Sequence, residues 1–420
     1  MVKKKETAAA PSGMQKSLKP RLLFMTSVPF FQWRGSSIRV GFDVQALAEV
    51  GYEVDLLTLP IGETKTIPGV TVHRVANPFR VKNIPIGPSA HKLIFDVLIL
   101  FKAFGMAIRH PYSVIHAVEE VGLLGLLVGR VTGARVVFEK HSDPDSHKDK
   151  PFKNLVLSIY RWIEAIVIRQ ADVVIGTGEG LVEQAIAAAP NQRVHHIFDI
   201  PSSLVEADPE RVRTINADIR GKNGEVIALY VGSFAVYQGI DLMFDSLHIA
   251  LKGAPQLRLV VIGGTVEQIA RRNEWLDERG IRGAVQFVGF VAPDQLPNYI
   301  SAADFLLSPR SSGVNTPLKL LDYLKAGRAI LATDNEANRR IIDERMAVLK
   351  NADAESYAGG MVELAKNADN RHRLGLEGRK LVDKRYNFVQ FKQLLKACYD
   401  KLLIALMCAY EGGLPPYIFL

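Results

Sequence analysis

The chain has 420 residues, 48% hydrophobic and 23% charged, which predicts two or three domains and excludes a disordered chain, a collagen-like chain and a multi-pass membrane protein. Two cysteines, Cys398 and Cys408, are too few for a disulfide framework or a four-thiolate zinc site, and fit a reducing cytoplasm. With 52 Lys plus Arg against 44 Asp plus Glu, the net charge of +8 suits an anionic partner: ligand phosphates, an acidic membrane surface or nucleic acid.

Residues 1–20 are small, polar and basic, lack the apolar core of a signal peptide, and read as a flexible arm. Leu22–Val28 reads as a buried strand, and a helix from about Ile38 to Val50 stops at Gly51. Strands follow at 52–59 and 70–75. The apolar helix near 90–109 contains Asp96 and Lys102 and falls short of a bilayer span, so it faces a core. Strand 113–118, helix 122–133, strand 134–141, helix 152–169, strand 171–178, a helix and the short strand 194–198 complete a first doubly wound α/β domain, 21–203. Residues 200–224 carry Pro and Gly without strong periodicity and hold the domain boundary. The alternation restarts over 204–385, with strands at 226–233, 257–264, 284–290, 304–309 and 328–334. Helices at 240–252, 266–279, 293–302 and 316–325 lie between them. A late helix, about Asn387–Ile404, opens the segment 386–420 outside the alternation, and the tail from Ile404 is too broken by Gly and Pro to span a bilayer. Ligands of open parallel sheets bind beyond the strands' carboxyl ends, so two such domains predict a site in a cleft between them.

Four loops carry candidate chemistry. In SPRSSGVNTPLKLLDYLKAGR (308–328), Pro317 suits the first helical position, with Asn315 or Thr316 as N-cap. The amides of that helix start, with Arg310 and Lys319, form a cradle for a diphosphate, and Asp322 can accept hydrogen bonds from vicinal hydroxyls of a sugar. An ordinary capped helix with surface charges is the alternative. In YVGSFAVYQG, small residues Gly232 and Ser233 end a strand, and Gln238 and Gly239 open the next helix. In PFFQWRGSSIRV, Gly35 begins a small-residue turn flanked by Arg34 and Arg39. In EKHSDPDSH, a strand delivers His141 to the cleft edge, while Asp143, Asp145 and His147 match no metal-ligand spacing and read as solvated.

The order of these elements, above all NTPLKLLDYLKAGRAILAT, resembles glycosyltransferase family 4 over about residues 21–403. The resemblance implies the GT-B fold, two Rossmann-like domains facing across a cleft, with the late helix crossing back to the first. It implies a retaining transferase that moves a hexose from a UDP- or GDP-linked sugar to a glycan or lipid-linked acceptor, as in cell-surface polysaccharide or glycolipid synthesis. Gly35 would approach the donor phosphates and His141 the transferred sugar. Ser233, Gln238 and Gly239 would surround the diphosphate, Phe290 and Val291 would meet the base, Asn315 and Thr316 would hold the diphosphate, and Asp322 would take the ribose. Arg310 and Lys319 are the candidate catalytic cations. Two departures stand out. Val314 occupies the place of the family's first glutamate, and Gln238 replaces a lysine, so Arg310, Lys319, Arg34 or Arg39 must supply that charge. No cofactor or metal is expected, nor a nucleic-acid partner. The expected location is cytoplasmic, with contact at an acidic membrane surface through the basic, Pro-broken segment 77–91. A nucleotide-sugar 2-epimerase or an inactive nucleotide-binding scaffold are the alternatives.

Overall fold

A computed structural model describes residues 20–32, 35–62, 66–78, 80–82, 84, 90–143, 151–221, 224–312 and 317–411. Asn315, Thr316, Val314, Arg34, Asp145 and His147 lie outside these residues, as does part of the segment 77–91.

The first unit comprises β1 (Arg21–Thr26), α1 (Gly35–Glu49), β2 (Glu53–Thr58), β3 (Val70–Arg74), α2 (Ala90–Arg109), β4 (Val114–Val118), α3 (Gly122–Thr132), β5 (Arg135–Lys140), α4 (Pro151–Gln170), β6 (Val173–Gly176), α5 (Glu179–Ala188) and β7 (Val194–His196). The second comprises α6 (Pro209–Arg220), β8 (Val226–Val231), α7 (Ile240–Gly253), β9 (Leu257–Ile262), α8 (Val266–Glu278), β10 (Val285–Gly289), α9 (Leu296–Ala302), β11 (Phe305–Ser308), α10 (Leu318–Lys325), β12 (Ala329–Thr333), α11 (Glu336–Arg339), β13 (Ala347–Lys350), α12 (Ala354–Lys366) and α13 (Ala368–Lys384). Last comes α14 (Phe388–Glu411). Both sheets are parallel, ordered β3-β2-β1-β4-β5-β6-β7 and β10-β9-β8-β11-β12-β13. The winding reverses between β1 and β4, and again between β8 and β11. Those two gaps are where such sheets open to ligands.

The strands are short apolar runs buried on both faces, as parallel sheets flanked by helices require. On one face of the first sheet, Leu22, Phe24 and Val137 meet α1 and α14; on the other, Leu23, Ile115 and Ala117 meet α2 and α3. Gly51, at φ +108°, ends the α1 turn where the sequence places the stop. The helix α6 corrects the expectation of irregular chain there. Its apolar stripe is narrow, Val212, Ile215 and the buried Ile219, and a cap supports it: Asp208 Oδ1 accepts from the Glu210 amide at 2.9 Å and Pro209 opens the first turn. The helix α10 begins at Leu318, two residues later than the expected start at 316. Pro317 is its N-cap residue and not its first helical one, no side chain among the described residues caps it, and Asp322 lies about one turn in. Strand β13 and helices α11 to α13 have no counterpart in the sequence reading.

Helix α14 returns from the second unit and packs on α1. Phe391, Leu395, Cys398, Tyr399 and Leu402 complete the first unit's core, and the Arg39 guanidinium lies 4.6 Å from the Phe391 ring centroid. Phe391→Ala should therefore cost about 3–5 kcal/mol. Calorimetry is expected to show a lowered first-unit transition; an unchanged melting profile would mean that α14 is dispensable for that core.

Candidate active site

The second unit's site forms where β8 and β11 end. Gly239 has φ +71°, and a Cβ there would fall 1.8 Å from the Pro309 carbonyl oxygen, so only glycine lets the two loops touch. The Ser311 amide donates to Tyr237 O at 2.9 Å and joins them again. Gln238 closes a short 3-10 turn and Gly239 is the N-cap residue of α7, so they precede the helix rather than form its first turn. Lys319, from the first turn of α10, donates to Gln238 Oε1 at 2.7 Å and lies 4.3 Å from the Tyr230 ring centroid. Burial, then the nearby Arg310 guanidinium, push its ammonium down to about 7. Arg310 is buried. Its Nε donates to Ser312 O at 2.7 Å, and its own carbonyl accepts from Asn335 Nδ2 at 2.8 Å and from Thr333 Oγ1. Gly232 leaves room beside Lys319, whose Nζ would be 2.9 Å from a Cβ there. Ser233 is exposed and anchored through its carbonyl, which accepts from Tyr230 Oη at 2.9 Å. Gln238, Arg310 and Lys319 are thus gathered at one switch point, with Ser233 on its rim.

Phe290 and Val291 follow β10, Phe290 fully displayed to solvent. Asp322 turns toward the inter-domain segment, where its Oδ1 accepts from the Ser202 amide at 2.6 Å. It lines a small open recess with Ser202, Leu296, Ile300 and Lys325. Burial pushes its carboxyl up to about 6, against the pull of the Ser202 hydrogen bond.

Gly35 stands at the start of α1, and a Cβ there would lie 2.8 Å from Leu318 Cδ1. The first turns of α1 and α10 therefore face each other across the cleft. His141 follows β5 and is buried. Its amide and that of Ser142 donate to Glu119 Oε1 at 2.5 and 2.6 Å. Glu119 pays with a left-handed φ of +57°, the kind of strain that clusters at functional sites.

Arg39, one of the candidates to supply the missing charge, is buried and committed to carboxylates and carbonyls of the first unit instead. Its Nε is 3.2 Å from Asp43 Oδ2 and 2.9 Å from Glu139 Oε1, and its Nη1 donates to the carbonyls of Ile197 and Phe198 at 2.8 and 3.0 Å. Burial alone would lower its pKa, but Asp43, Glu139 and Asp199 raise it beyond the ordinary value. Asp43, Glu139 and His141 do bring three potential metal ligands within 4.8 Å of one another. The guanidinium already sits against both carboxylates, however, and a divalent ion there would meet it as a like charge. The sequence reading missed Glu139, Glu119, His116 and Tyr399. One signal was present: Glu139, Lys140 and His141 end the apolar run Val136–Phe138 at a buried strand's carboxyl end, and charges there require partners.

Two family models match the chain: "Glycosyl transferase 4-like domain" over residues 34–197 and "Glycosyl transferases group 1" over 212–381. The alpha-monoglucosyldiacylglycerol synthase of Streptococcus pneumoniae is 22% identical over 284 residues, 65% of this chain and 64% of its own length. The chain thus matches somewhat less than two thirds of this relative. Among solved structures, sucrose-phosphate synthase from Thermosynechococcus elongatus superposes with a TM-score of 0.74 at 20% identity, covering 92% of this chain and all of that one. Anabaena HepE in complex with UDP superposes with a TM-score of 0.72 at 13% identity, covering 91% of this chain and all of that one. These likenesses establish the shared two-domain fold. The chain belongs to the GT-B glycosyltransferases of the family-4-like type.

Proposed function

We propose that the protein transfers a hexose from a UDP- or GDP-linked sugar to a glycan or lipid-linked acceptor, with retention at the anomeric carbon. The observation that carries this reading is the gathering of Arg310, Lys319 and Gln238 at the second sheet's switch point, opposite the α1 start at Gly35. The leaving group is a nucleoside diphosphate, and breaking the anomeric C–O bond builds charge on its β-phosphate. Arg310, Lys319 and the helix-start amides are fixed before reaction, so they stabilise that charge more than they stabilise the bound donor. The acceptor hydroxyl attacks the face the phosphate leaves and gives its proton to it; His141 lines the sugar, Asp322 takes the ribose, and Phe290 and Val291 meet the base. Asn315 and Thr316 complete the diphosphate grip. Lys319 reaches Gln238 and so restores a cation at the position where the family's lysine is absent. With these charges the reaction proceeds without metal or cofactor.

A lipid-linked acceptor agrees with the first unit's outer face. Helix α3 packs between α2 and α4, and this surface displays Leu93, Val97, Phe101, Ile108, Val131 and Trp162. The exposed charged residues described on the three helices are Arg109, Arg130, Arg161 and Arg169. An apolar face rimmed by cations is what an anionic bilayer surface would bind, and it supports the reading that the protein works at the inner face of a membrane. No helix among the described residues is long and apolar enough to cross one.

Incubation with UDP- and GDP-sugars tests the central reading. Acceptor-dependent release of nucleoside diphosphate is expected. Turnover without acceptor would replace it with 2-epimerisation, and binding without turnover with an inactive scaffold. Arg310→Ala should lower kcat by about 100-fold and weaken diphosphate binding; unchanged kinetics would remove Arg310 from the site. Because Lys319 is largely neutral above about 7 in the free protein, and a bound diphosphate favours the ammonium, binding at pH 8 should take up a proton. Affinity should fall as pH rises, and Lys319→Met should abolish both effects in calorimetry across buffers of different ionisation enthalpy. For the membrane face, sedimentation with phosphatidylglycerol vesicles is expected, lost with phosphatidylcholine alone and in the double variant Phe101→Asp, Trp162→Asp. Binding indifferent to both changes would overturn that surface.

A further inference from the structure

Behind His141 runs a buried chain of polar groups that the proposed reaction does not use. Tyr399 Oη lies 2.5 Å from His116 Nδ1, His116 Nε2 lies 2.7 Å from Glu139 Oε2, and Glu139 Oε1 lies 3.1 Å from His141 Nε2. Tyr399, His116 and Glu139 are fully enclosed. The direction of the chain follows from its chemistry. Glu139, held ionised by Arg39, only accepts, so His116 carries its proton on Nε2 and accepts from the Tyr399 hydroxyl on Nδ1. Burial keeps His116 below the ordinary imidazole range, hence neutral, as this tautomer requires. Its ring is pinned by stacking on Phe24, centroids 4.2 Å apart. The second oxygen of Glu139, Oε1, is shared: Arg39 Nε lies 2.9 Å from it, and His141 Nε2 lies at ion-pair distance, 3.1 Å, though not in hydrogen-bond alignment. The Nδ1 of His141 is likewise buried and has no partner among the described residues.

A role in folding alone does not account for this pattern. Arg39 would suffice to neutralise Glu139. Instead one carboxylate oxygen goes to an imidazole that continues to a tyrosine on a helix arriving from the other unit, and the oxygen that Arg39 holds also faces the His141 imidazole. We infer that Glu139 is a positioning residue that holds His141 by Nε2, presents Nδ1 to the sugar, and through His116 and Tyr399 makes this orientation depend on the seating of α14. This rests on the proposed place of His141 beside the transferred sugar. Glu139 also raises the pKa of His141, against the opposite effect of burial; Glu119 adds to it, Arg39 opposes it, and Asp43 and Asp199 face the same ring.

The test uses the full-length protein with Glu139→Gln, Tyr399→Phe, His141→Asn and the double variant Glu139→Gln, His141→Asn. In Glu139→Gln the His141 ring, followed by NMR, should titrate at least about 1 pH unit lower. Its kcat should fall at least about tenfold with donor KM within about twofold, and the double variant should be no slower than His141→Asn. Tyr399→Phe keeps the ring and loses one hydrogen bond, so kcat should fall about 3- to 10-fold. An unmoved His141 titration in Glu139→Gln, or multiplicative losses in the double variant, overturns the inference. Should Glu139→Gln fail to fold, Tyr399→Phe decides alone, and an unchanged kcat with unchanged titration overturns it. Wild-type turnover in His141→Asn would remove His141 from the reaction, while the NMR titration still decides whether Glu139 governs its ring.

Discussion

The ion pair between Arg39 and Glu139 is the constraint around which the first unit is arranged. Both groups are withdrawn from water, and removing either would leave an uncompensated buried charge, at about 3–5 kcal/mol. Neither could have been placed there for stability alone, since well-packed apolar side chains serve as well or better. The arrangement makes sense through what it connects. Arg39 comes from α1, Glu139 from the end of β5, and the guanidinium also holds the carbonyls of Ile197 and Phe198, where the chain leaves the first sheet for the second unit. Asp43 and Asp199 share the same cation, and burial raises both carboxyls, Asp43 well above the ordinary range. Against the push of its own burial, Glu139 is instead held well below that range by Arg39.

The second unit solves a different problem, that of bringing backbone close to backbone. Gly239 meets the Pro309 carbonyl and Gly263 meets the Gly232 carbonyl, where added Cβ atoms would lie at 1.8 and 2.1 Å. At φ +71° and +117° both also adopt conformations that other residues rarely take. The loops after β8, β9 and β11 are thereby drawn together, with Arg310 and Lys319 near each other. Burial, and after it the Arg310 guanidinium, depresses the Lys319 ammonium, and a doubly charged ligand would favour its charged form.

Much of this architecture is legible in the sequence because its signals are local. Buried parallel strands are continuous apolar runs, and Gly51, Gly232 and Gly239 mark the ends of elements as conformational necessity dictates. Helix α6 is less legible because its stripe is narrow: Val212, Ile215 and Ile219 keep helical spacing among polar residues, and the cap Asp208-Pro209 is the plainer signal. The residue types gathered at the second switch point were legible too, as a loop with Arg310 and a helix start with Lys319. What sequence could not show is partnership over distance. Arg39 and Arg34 look alike beside Gly35, yet Arg39 is committed to carboxylates 100 and more positions away. Tyr399 sits in a helix that reads as an ordinary apolar one. Its hydroxyl gains meaning only when the chain crossing places it against His116.

The pairing of Lys319 with Gln238 shows how a site can keep its charge while changing its residues. A diphosphate is gripped by field and geometry, and both depend on where the cation ends, not on which element carries it. Gln238 offers its carbonyl oxygen to Lys319 Nζ, which fixes a long flexible side chain in the room that Gly232 leaves beside it. The Tyr230 ring beneath it adds a cation–π contact. A lysine at 238 would instead set two ammonium groups against each other beside Arg310. Glutamine is therefore the residue that a cation at 319 calls for, and the two positions form a single device for holding one positive charge against the place where negative charge develops.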